Sequence, residues 1–170
     1  MPDPPAANTV QVYSIGHSDH TVEAFLGLLR QHEIAVVVDV RSQPYSQWVP
    51  QFNREILSRQ LEAAGVHYIF MGESLGGRPA DRSLYNQGEE RPDNERLAES
   101  PLYQAGLGQL LTLAAQERVA LMCSEGDYHK CHRSKLITPT LLERDVRVLH
   151  ILPDGAVREA EPEVKQLNLF

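Results

Sequence analysis

The chain has 170 residues, of which 42% are hydrophobic and 23% charged, so it suits one folded domain and is neither disordered nor fibrous. Its 16 basic and 23 acidic side chains give a net charge of −7, which argues against a broad basic surface for nucleic acid; we expect weak or no intrinsic nucleic-acid binding. The sequence lacks a secretory-signal pattern and a long apolar run, which predicts a cytoplasmic protein with no membrane partner.

Strand-like and helix-like patterns alternate along the chain, as is typical of an α/β domain with a mainly parallel sheet. The predicted strands cover residues 10–15, 35–40, 66–70, 119–123 and 146–152. Helices are predicted after Thr21, Asn53 and Ser100 and over 133–144, where Pro139 indicates a kink or a restart. We therefore predict one three-layer α/β domain over residues 10–155, with about five mainly parallel strands and helices on both faces. A flexible N-terminus (1–9) and a polar tail (156–170) flank it.

Chemically distinctive residues follow the predicted strands. The candidate catalytic residues are His17, Asp39, Cys123, Glu125, Cys131 and His132. The candidate ligand-binding residues are Gly16, Ser18, Arg41, Ser42, Gly76, Gly77, Arg78 and Arg133. Because the carboxyl ends of parallel strands meet at one edge of a sheet, we expect these residues to form one site. Three arginines without a dominating acidic cluster indicate an anionic ligand such as phosphate.

Several of these residues also have a purely structural interpretation. His17 suits a turn residue as well as an acid or base, and Glu125 suits a solvated loop acid as well as a general base. Asp39 lies within a valine run, where an unpaired carboxylate is costly, so we expect Arg41 or a neighbouring loop donor to pair with it. A structural ion pair that fixes the second loop and a direct catalytic role are both open. Arg78 follows a glycine pair, which is typical of an ordinary turn or of a close approach to a ligand.

The two cysteines indicate thiol chemistry, because a thiol near a helix N-terminus and basic groups becomes a nucleophile. A cysteine loop between strand and helix is similar to rhodanese and cysteine-phosphatase domains. Those phosphatases have five residues between cysteine and arginine, whereas nine separate Cys123 from Arg133. Zinc ligation by Cys123, Cys131, His129 and His132 is an alternative, but no CxxC or HxxxH pair is present. We expect no metal and no cofactor.

Four motifs together resemble a bacterial family, the domain of unknown function 488. They are Ser-Ile-Gly-His-Ser at 14–18, Asp-Val-Arg-Ser-Gln-Pro-Tyr-Ser at 39–46 with Pro50 and Phe52, Leu-Gly-Gly-Arg at 75–78, and Cys123 with Cys-His-Arg at 131–133. The resemblance covers about residues 10–155. It implies a shared fold and a site at these motifs, and it assigns no activity.

The tail ends in Gln-Leu-Asn-Leu-Phe at 166–170. This motif closely resembles the peptide with which bacterial replication and repair proteins bind the sliding clamp, with Gln166, Leu167, Leu169 and Phe170 as contacts. A polar tether with a few apolar anchors suits docking into a preformed pocket. The alternative is that these side chains fold back on the domain as a latch.

Three functions remain open at this point. The first is an enzyme of nucleic-acid or nucleotide metabolism with an anion-binding Cys/His/Arg site, brought to DNA by the tail. The second is a non-catalytic adaptor that binds a nucleotide or another anion. The third is a rhodanese-like thiol or sulfur-transfer enzyme. Reactivity of the thiols near neutral pH distinguishes the enzymes from the adaptor.

Overall fold

The computed structural model describes residues 9–162 of the chain. The strands are β1 (Gln11–Gly16), β2 (Val36–Asp39), β3 (His67–Phe70), β4 (Val119–Cys123), β5 (Arg147–Ile151) and β6 (Val157–Glu159). The α-helices are α1 (Val22–Gln31), α2 (Arg54–Ala63), α3 (Gly72–Leu75), α4 (Asn94–Glu99), α5 (Pro101–Gln116) and α6 (Thr138–Leu142). Short 3₁₀ helices cover Pro50–Phe52, Arg82–Leu84 and Tyr128–Lys130, and a π-helical turn covers Arg133–Ile137.

All six strands form one sheet in the order β3-β2-β4-β1-β5-β6. The first five are parallel, and β6 is antiparallel to β5. The chain adds β2 and β3 on one side of β1, then places β4 between β1 and β2 and β5 on the far side of β1. Because the connections reverse direction around β4, the carboxyl end of this central strand is the expected place for a ligand crevice.

Two apolar layers enclose the sheet, which confirms the predicted three-layer α/β fold. One layer packs α1 and α2, with Phe25 and Leu61, against one face. The other packs α5 and α6, with Leu107 and Leu141, against the opposite face. Strand β4 is buried along its whole length, as expected for a parallel strand covered on both sides.

The helix boundaries follow from local chemistry. Thr21 accepts a hydrogen bond from the backbone of Ala24, and Ser100 accepts one from Tyr103, so both are N-caps as predicted. Gly65 ends the turn after α2 with a φ of 80°, which favours glycine. Pro139 lies where the π-helical turn passes directly into α6: α6 begins at Thr138, and the proline occupies its first turn, where no backbone donor is needed.

Two segments hold more structure than their sequence pattern indicates. The polar stretch 71–99 contains α3, α4 and a 3₁₀ turn. The predicted tail region contains β6, an exposed strand that pairs with β5 through its backbone. Polar residues suit such an edge strand because it contributes no side chains to the core. Within residues 9–162, no helix is long and apolar enough to cross a membrane.

Candidate active site

A cavity of about 390 Å³ opens at the carboxyl ends of β2 and β4. Ser42 enters from the loop after β2, and Cys123 enters from the end of β4. The described lining comprises Arg41, Ser42, Gln43, Gly77, Arg78, Arg91, Pro92, Asn94, Cys123, Ser124, Glu125, Lys130, Cys131, His132 and Lys135. The strand ends therefore bring several of the predicted residues into one concave site.

The two cysteines are in direct contact at the buried side of this cavity. Both are free, and the Cys123 thiol donates to the Cys131 sulfur, with the two Sγ atoms 3.0 Å apart. This hydrogen bond and the nearby Arg133 guanidinium lower the pKa of Cys131. The same hydrogen bond and burial raise the pKa of Cys123. These contacts favour the thiolate form at Cys131 and the protonated thiol at Cys123.

Arg133 lies beneath the cavity and holds the Cys131 sulfur. Its side chain is fully buried, and its Nε donates to Cys131 Sγ at 3.1 Å. Its Nη2 donates to the Glu125 carbonyl at 2.8 Å, and its Nη1 donates to Ser14 Oγ at 3.1 Å. Arg133, a predicted ligand contact, is not among the residues that line the cavity, and each of its three side-chain nitrogens donates to a protein group.

Ser14 and His150 continue this buried network across the sheet. They are register neighbours on β1 and β5, and Ser14 Oγ lies 2.5 Å from His150 Nδ1. Burial and the charge of Arg133 lower the pKa of His150 to about 4. The ring is therefore neutral at pH 7, and its Nδ1 accepts a hydrogen bond from the Ser14 hydroxyl. The His150 ring also stacks on Tyr128 with centroids 4.0 Å apart. Ser14 on β1 thus holds Arg133 directly, and His150 on β5 holds Ser14.

Asp39 and Arg41 form the buried ion pair that the sequence predicts. Arg41 Nε and Nη2 donate to the two Asp39 oxygens at 2.9 and 2.8 Å, and the Tyr68 hydroxyl donates to Asp39 at 2.5 Å. His17 accepts from Arg41 Nη1 at 3.3 Å and stacks on Phe52. Asp39 and His17 lie outside the cavity lining, which favours their structural interpretation: they hold Arg41 in place.

His132 and Glu125 line the cavity, as predicted. The His132 Nε2 donates to the Val40 carbonyl at 3.0 Å. Burial lowers the pKa of this ring, and its hydrogen bonds to the backbone of Val40 and Leu75 oppose that shift. Glu125 follows β4 with an exposed side chain. It is the one acidic side chain among the described residues that line the cavity.

Four exposed cations surround the opening of the cavity. They are Arg78, Arg91, Lys130 and Lys135. None of them forms an ion pair with another residue of the described part of the chain. Unpaired guanidinium and ammonium groups around a concave site favour binding of an anion.

The three glycines that are predicted to bind a ligand, Gly16, Gly76 and Gly77, pack closely against other parts of the protein. A Cβ on Gly16 would lie 1.7 Å from the Glu125 carbonyl oxygen, and one on Gly76 would lie 2.1 Å from the Gly72 carbonyl oxygen. Only Gly77 of these three borders the cavity, where it packs against His132. Ser18 lies outside the lining and bonds through its backbone to Ser124. These close approaches fix the loops that carry the cavity residues.

The residues that sequence reasoning did not select include three cations of the cavity, Arg91, Lys130 and Lys135, and three buried residues that support it, Ser14, His150 and Tyr68. Lys130 and Lys135 flank the Cys-His-Arg motif, and that proximity is a usable signal. Ser14 and His150 are polar residues inside apolar strands, and this also marks a buried network. No pattern indicates Arg91, because it lies in the irregular segment between the 3₁₀ helix Arg82–Leu84 and α4.

Within residues 9–162, no group of three or more His, Cys, Asp or Glu side chains is arranged to hold a metal ion. Cys123 and Cys131 satisfy each other and Arg133 instead. The predicted partner-binding residues Gln166, Leu167, Leu169 and Phe170 lie outside the described residues.

The family model described as Domain of unknown function DUF488 matches residues 21–138. No curated protein and no solved structure gives a significant match. The matched segment carries both cysteines and every described residue that lines the cavity.

Proposed function

The chain belongs to the DUF488 family, and we propose that it is an enzyme in which the Cys131 thiolate attacks a phosphate-bearing substrate of nucleotide or nucleic-acid metabolism. The observation that supports this proposal is the double contact at Cys131, whose sulfur accepts from Cys123 and Arg133 while it lines a cavity edged by unpaired cations. A thiolate held beside a fixed positive charge is an activated nucleophile.

The cavity suggests how the substrate is held and how the reaction proceeds. The four cations bind its anionic groups. The backbone N–H of Arg78 donates to Ser42 Oγ, which fixes the loop that carries this cation. Cys131 sulfur then forms a bond to an electrophilic phosphorus or carbon, and the leaving group departs with the bonding electrons. Water attacks the adduct, releases the product and restores the thiolate, and Glu125 accepts the proton of that water.

The link to nucleic acid is supported by the motif at residues 166–170. A clamp-binding peptide on a polar tether raises the local concentration of the domain at DNA, so the domain itself does not need a basic surface. The net charge of −7 is compatible with recruitment of this kind. We propose a bacterial sliding clamp as the partner.

Alkylation by iodoacetamide tests the nucleophile in the full-length chain. Peptide mapping across a pH series should show Cys131 modified faster than a free thiol at pH 7. Cys123→Ser keeps a donor beside the sulfur and should keep this reactivity, whereas Cys131→Ser should leave only slow modification. Inorganic pyrophosphate should protect Cys131, and Arg78→Gln combined with Arg91→Gln should weaken the protection.

Turnover is the second arm of the test. Nucleoside mono-, di- and triphosphates and 5′-phosphorylated oligonucleotides are incubated with the chain, and products are identified by mass spectrometry. Conversion that disappears in Cys131→Ser supports the proposal. Two unreactive thiols with intact pyrophosphate binding would overturn it in favour of an anion-binding adaptor. Sulfur transfer from thiosulfate without conversion of any phosphate compound would instead favour the rhodanese-like alternative.

A further inference from the structure

The two sulfur atoms of the site are close enough to bond to each other. Cys123 and Cys131 are both free, and their Sγ atoms lie 3.0 Å apart. A disulfide bond is about 2.05 Å long, so a shift of about 1 Å brings the two atoms to bonding distance. Cys131 lies between a 3₁₀ turn and the π-helical turn, where its backbone does not belong to the sheet.

The two thiols have different roles because their contacts differ. Cys131 Sγ accepts from two donors and lines the cavity, so it presents a negative charge to a small molecule. Cys123 also borders the cavity, but it ends a fully buried strand, is less exposed than Cys131 and donates to the Cys131 sulfur. A reactive thiolate with a neutral thiol behind it is the arrangement of an attacking and a resolving cysteine.

We propose that this pair is a peroxide-reactive dithiol, in which a hydroperoxide oxidises Cys131, Cys123 resolves the product, and the disulfide removes the nucleophile until a thiol reductant restores it. The inference deepens the proposed function, because it gives the same thiolate a second activity and makes the first one sensitive to oxidation.

The reaction balances in two steps. The Cys131 thiolate attacks one oxygen of the hydroperoxide, the O–O bond breaks, and hydroxide or alkoxide leaves and takes up a proton, which gives Cys131 sulfenic acid. Cys123 then loses its proton and attacks the sulfenic sulfur; the S–O bond breaks and water leaves. The two thiols are oxidised by two electrons, and the hydroperoxide is reduced to water and water or alcohol.

The surroundings of the pair favour a reversible reaction. In the reduced form, Arg133 Nε donates to the charged Cys131 sulfur. Formation of the disulfide removes that charge and leaves a fully buried guanidinium with a weaker acceptor. The network around Arg133 therefore stabilises the dithiol relative to the disulfide, so a dithiol reductant should reopen the bond.

Hydrogen peroxide, applied to the full-length chain, is the probe. We expect the free thiols to fall from two to none per chain, with one disulfide between residues 123 and 131 in a non-reducing peptide map. Dithiothreitol should return both thiols. In Cys123→Ser, the sulfenic acid at Cys131 should persist, react with dimedone and pass on to sulfinic acid. In Cys131→Ser, Cys123 should stay reduced at the same peroxide concentration.

Dimedone labelling of Cys131 in the natural chain equal to that in Cys123→Ser would overturn the inference, as would disulfides only between chains. Oxidation of Cys123 in Cys131→Ser at the same rate as in the natural chain would also overturn it. A thiolate that alkylates quickly and converts phosphate compounds, yet forms no disulfide, rejects this inference and leaves the proposed function intact. Rapid disulfide formation without conversion of any phosphate compound rejects the proposed function alone.

Discussion

Arg133 and Cys131 are separated by one residue, and Nε of Arg133 donates a hydrogen bond to the Cys131 sulfur at 3.1 Å. The guanidinium is fixed in this position because Ser14 and the Glu125 carbonyl hold its other nitrogens. Cysteine phosphatases have five residues between cysteine and arginine, whereas nine separate Cys123 from Arg133. In this structure Arg133 donates to the nearer cysteine, Cys131, and Cys123 donates to the same sulfur from the end of β4.

Removal of the Arg133 charge should raise the pKa of Cys131. In Arg133→Gln, the sulfur loses a hydrogen bond and the positive charge beside it, so the thiolate form is less favoured. We expect the midpoint of iodoacetamide alkylation against pH to move up towards the value of an unperturbed thiol, about 8.5. Arg118→Gln, on the opposite side of the molecule from β4's carboxyl end, is the control and should leave the midpoint unchanged. Equal midpoints in both variants would contradict the assigned contact.

The Asp39–Arg41 pair should contribute far more to stability than an exposed pair. Asp39→Asn keeps the shape of the side chain but leaves the buried Arg41 charge without a counter-ion, which costs about 3–5 kcal/mol. The matched control is Glu159→Gln, which breaks the solvent-exposed pair with Arg147 and should cost less than about 1 kcal/mol. Urea unfolding measures both. Equal losses of unfolding free energy in Asp39→Asn and Glu159→Gln would show that burial does not determine how much the Asp39–Arg41 pair contributes to stability.

The sequence predicts the position of the site better than its internal contacts. Strand ends can be located from apolar runs, and this places Asp39, Cys123 and their loops at one edge. Periodicity does not predict the course of the stretch 71–99, so it cannot place Arg91 at the cavity. Such patterns also contain no side-chain directions, so they do not predict that Arg133 donates to the Cys131 sulfur.

Acid should destabilise the fold through its buried neutral histidines. Burial lowers the pKa of His17 to about 4, whereas an unfolded histidine titrates near 6.5. Between these two pH values the unfolded chain binds a proton that the folded chain does not. The contribution of His17 to the free energy of unfolding is therefore fully present above pH 6.5 and is lost as the pH falls towards 4. His17→Gln should therefore show a smaller drop in Tm between pH 7 and pH 5 than the natural chain.

The control for this measurement is His67→Gln, which replaces a histidine with an exposed ring. Its Tm should fall between pH 7 and pH 5 as much as that of the natural chain. A drop in His17→Gln as large as in His67→Gln would show that His17 does not carry the acid sensitivity. His150, whose pKa burial also lowers to about 4, adds to the drop in every variant that retains it.

Gly16 should be irreplaceable, whereas Gly27 should not. An alanine at position 16 would place its Cβ 1.7 Å from the Glu125 carbonyl oxygen, the group that also holds Arg133. We expect Gly16→Ala to lower both Tm and the alkylation rate of Cys131. Gly27→Ala lies in α1 with no atom within 4 Å of the new Cβ, and should stabilise the chain by about 0.5–1 kcal/mol. Unchanged thiol reactivity in Gly16→Ala would contradict the proposed fixing of the loop.

The motif at residues 166–170 should bind a bacterial sliding clamp through its apolar side chains. Leu169 and Phe170 each contribute roughly 1.5–3 kcal/mol on burial, so a peptide of this kind reaches about micromolar affinity after its ordering cost. The double variant Leu169→Ala with Phe170→Ala should lose most of the binding and keep the Tm of the natural chain.

Leu102→Ala, which removes an exposed leucine from α5, controls for a general loss of apolar surface and should bind normally. Titration of purified clamp against the full-length chains measures affinity, and thermal unfolding measures Tm. Absence of clamp binding by the natural chain would reject this partner, and a Tm lower by several degrees in the double variant would identify the tail as a latch on its own domain.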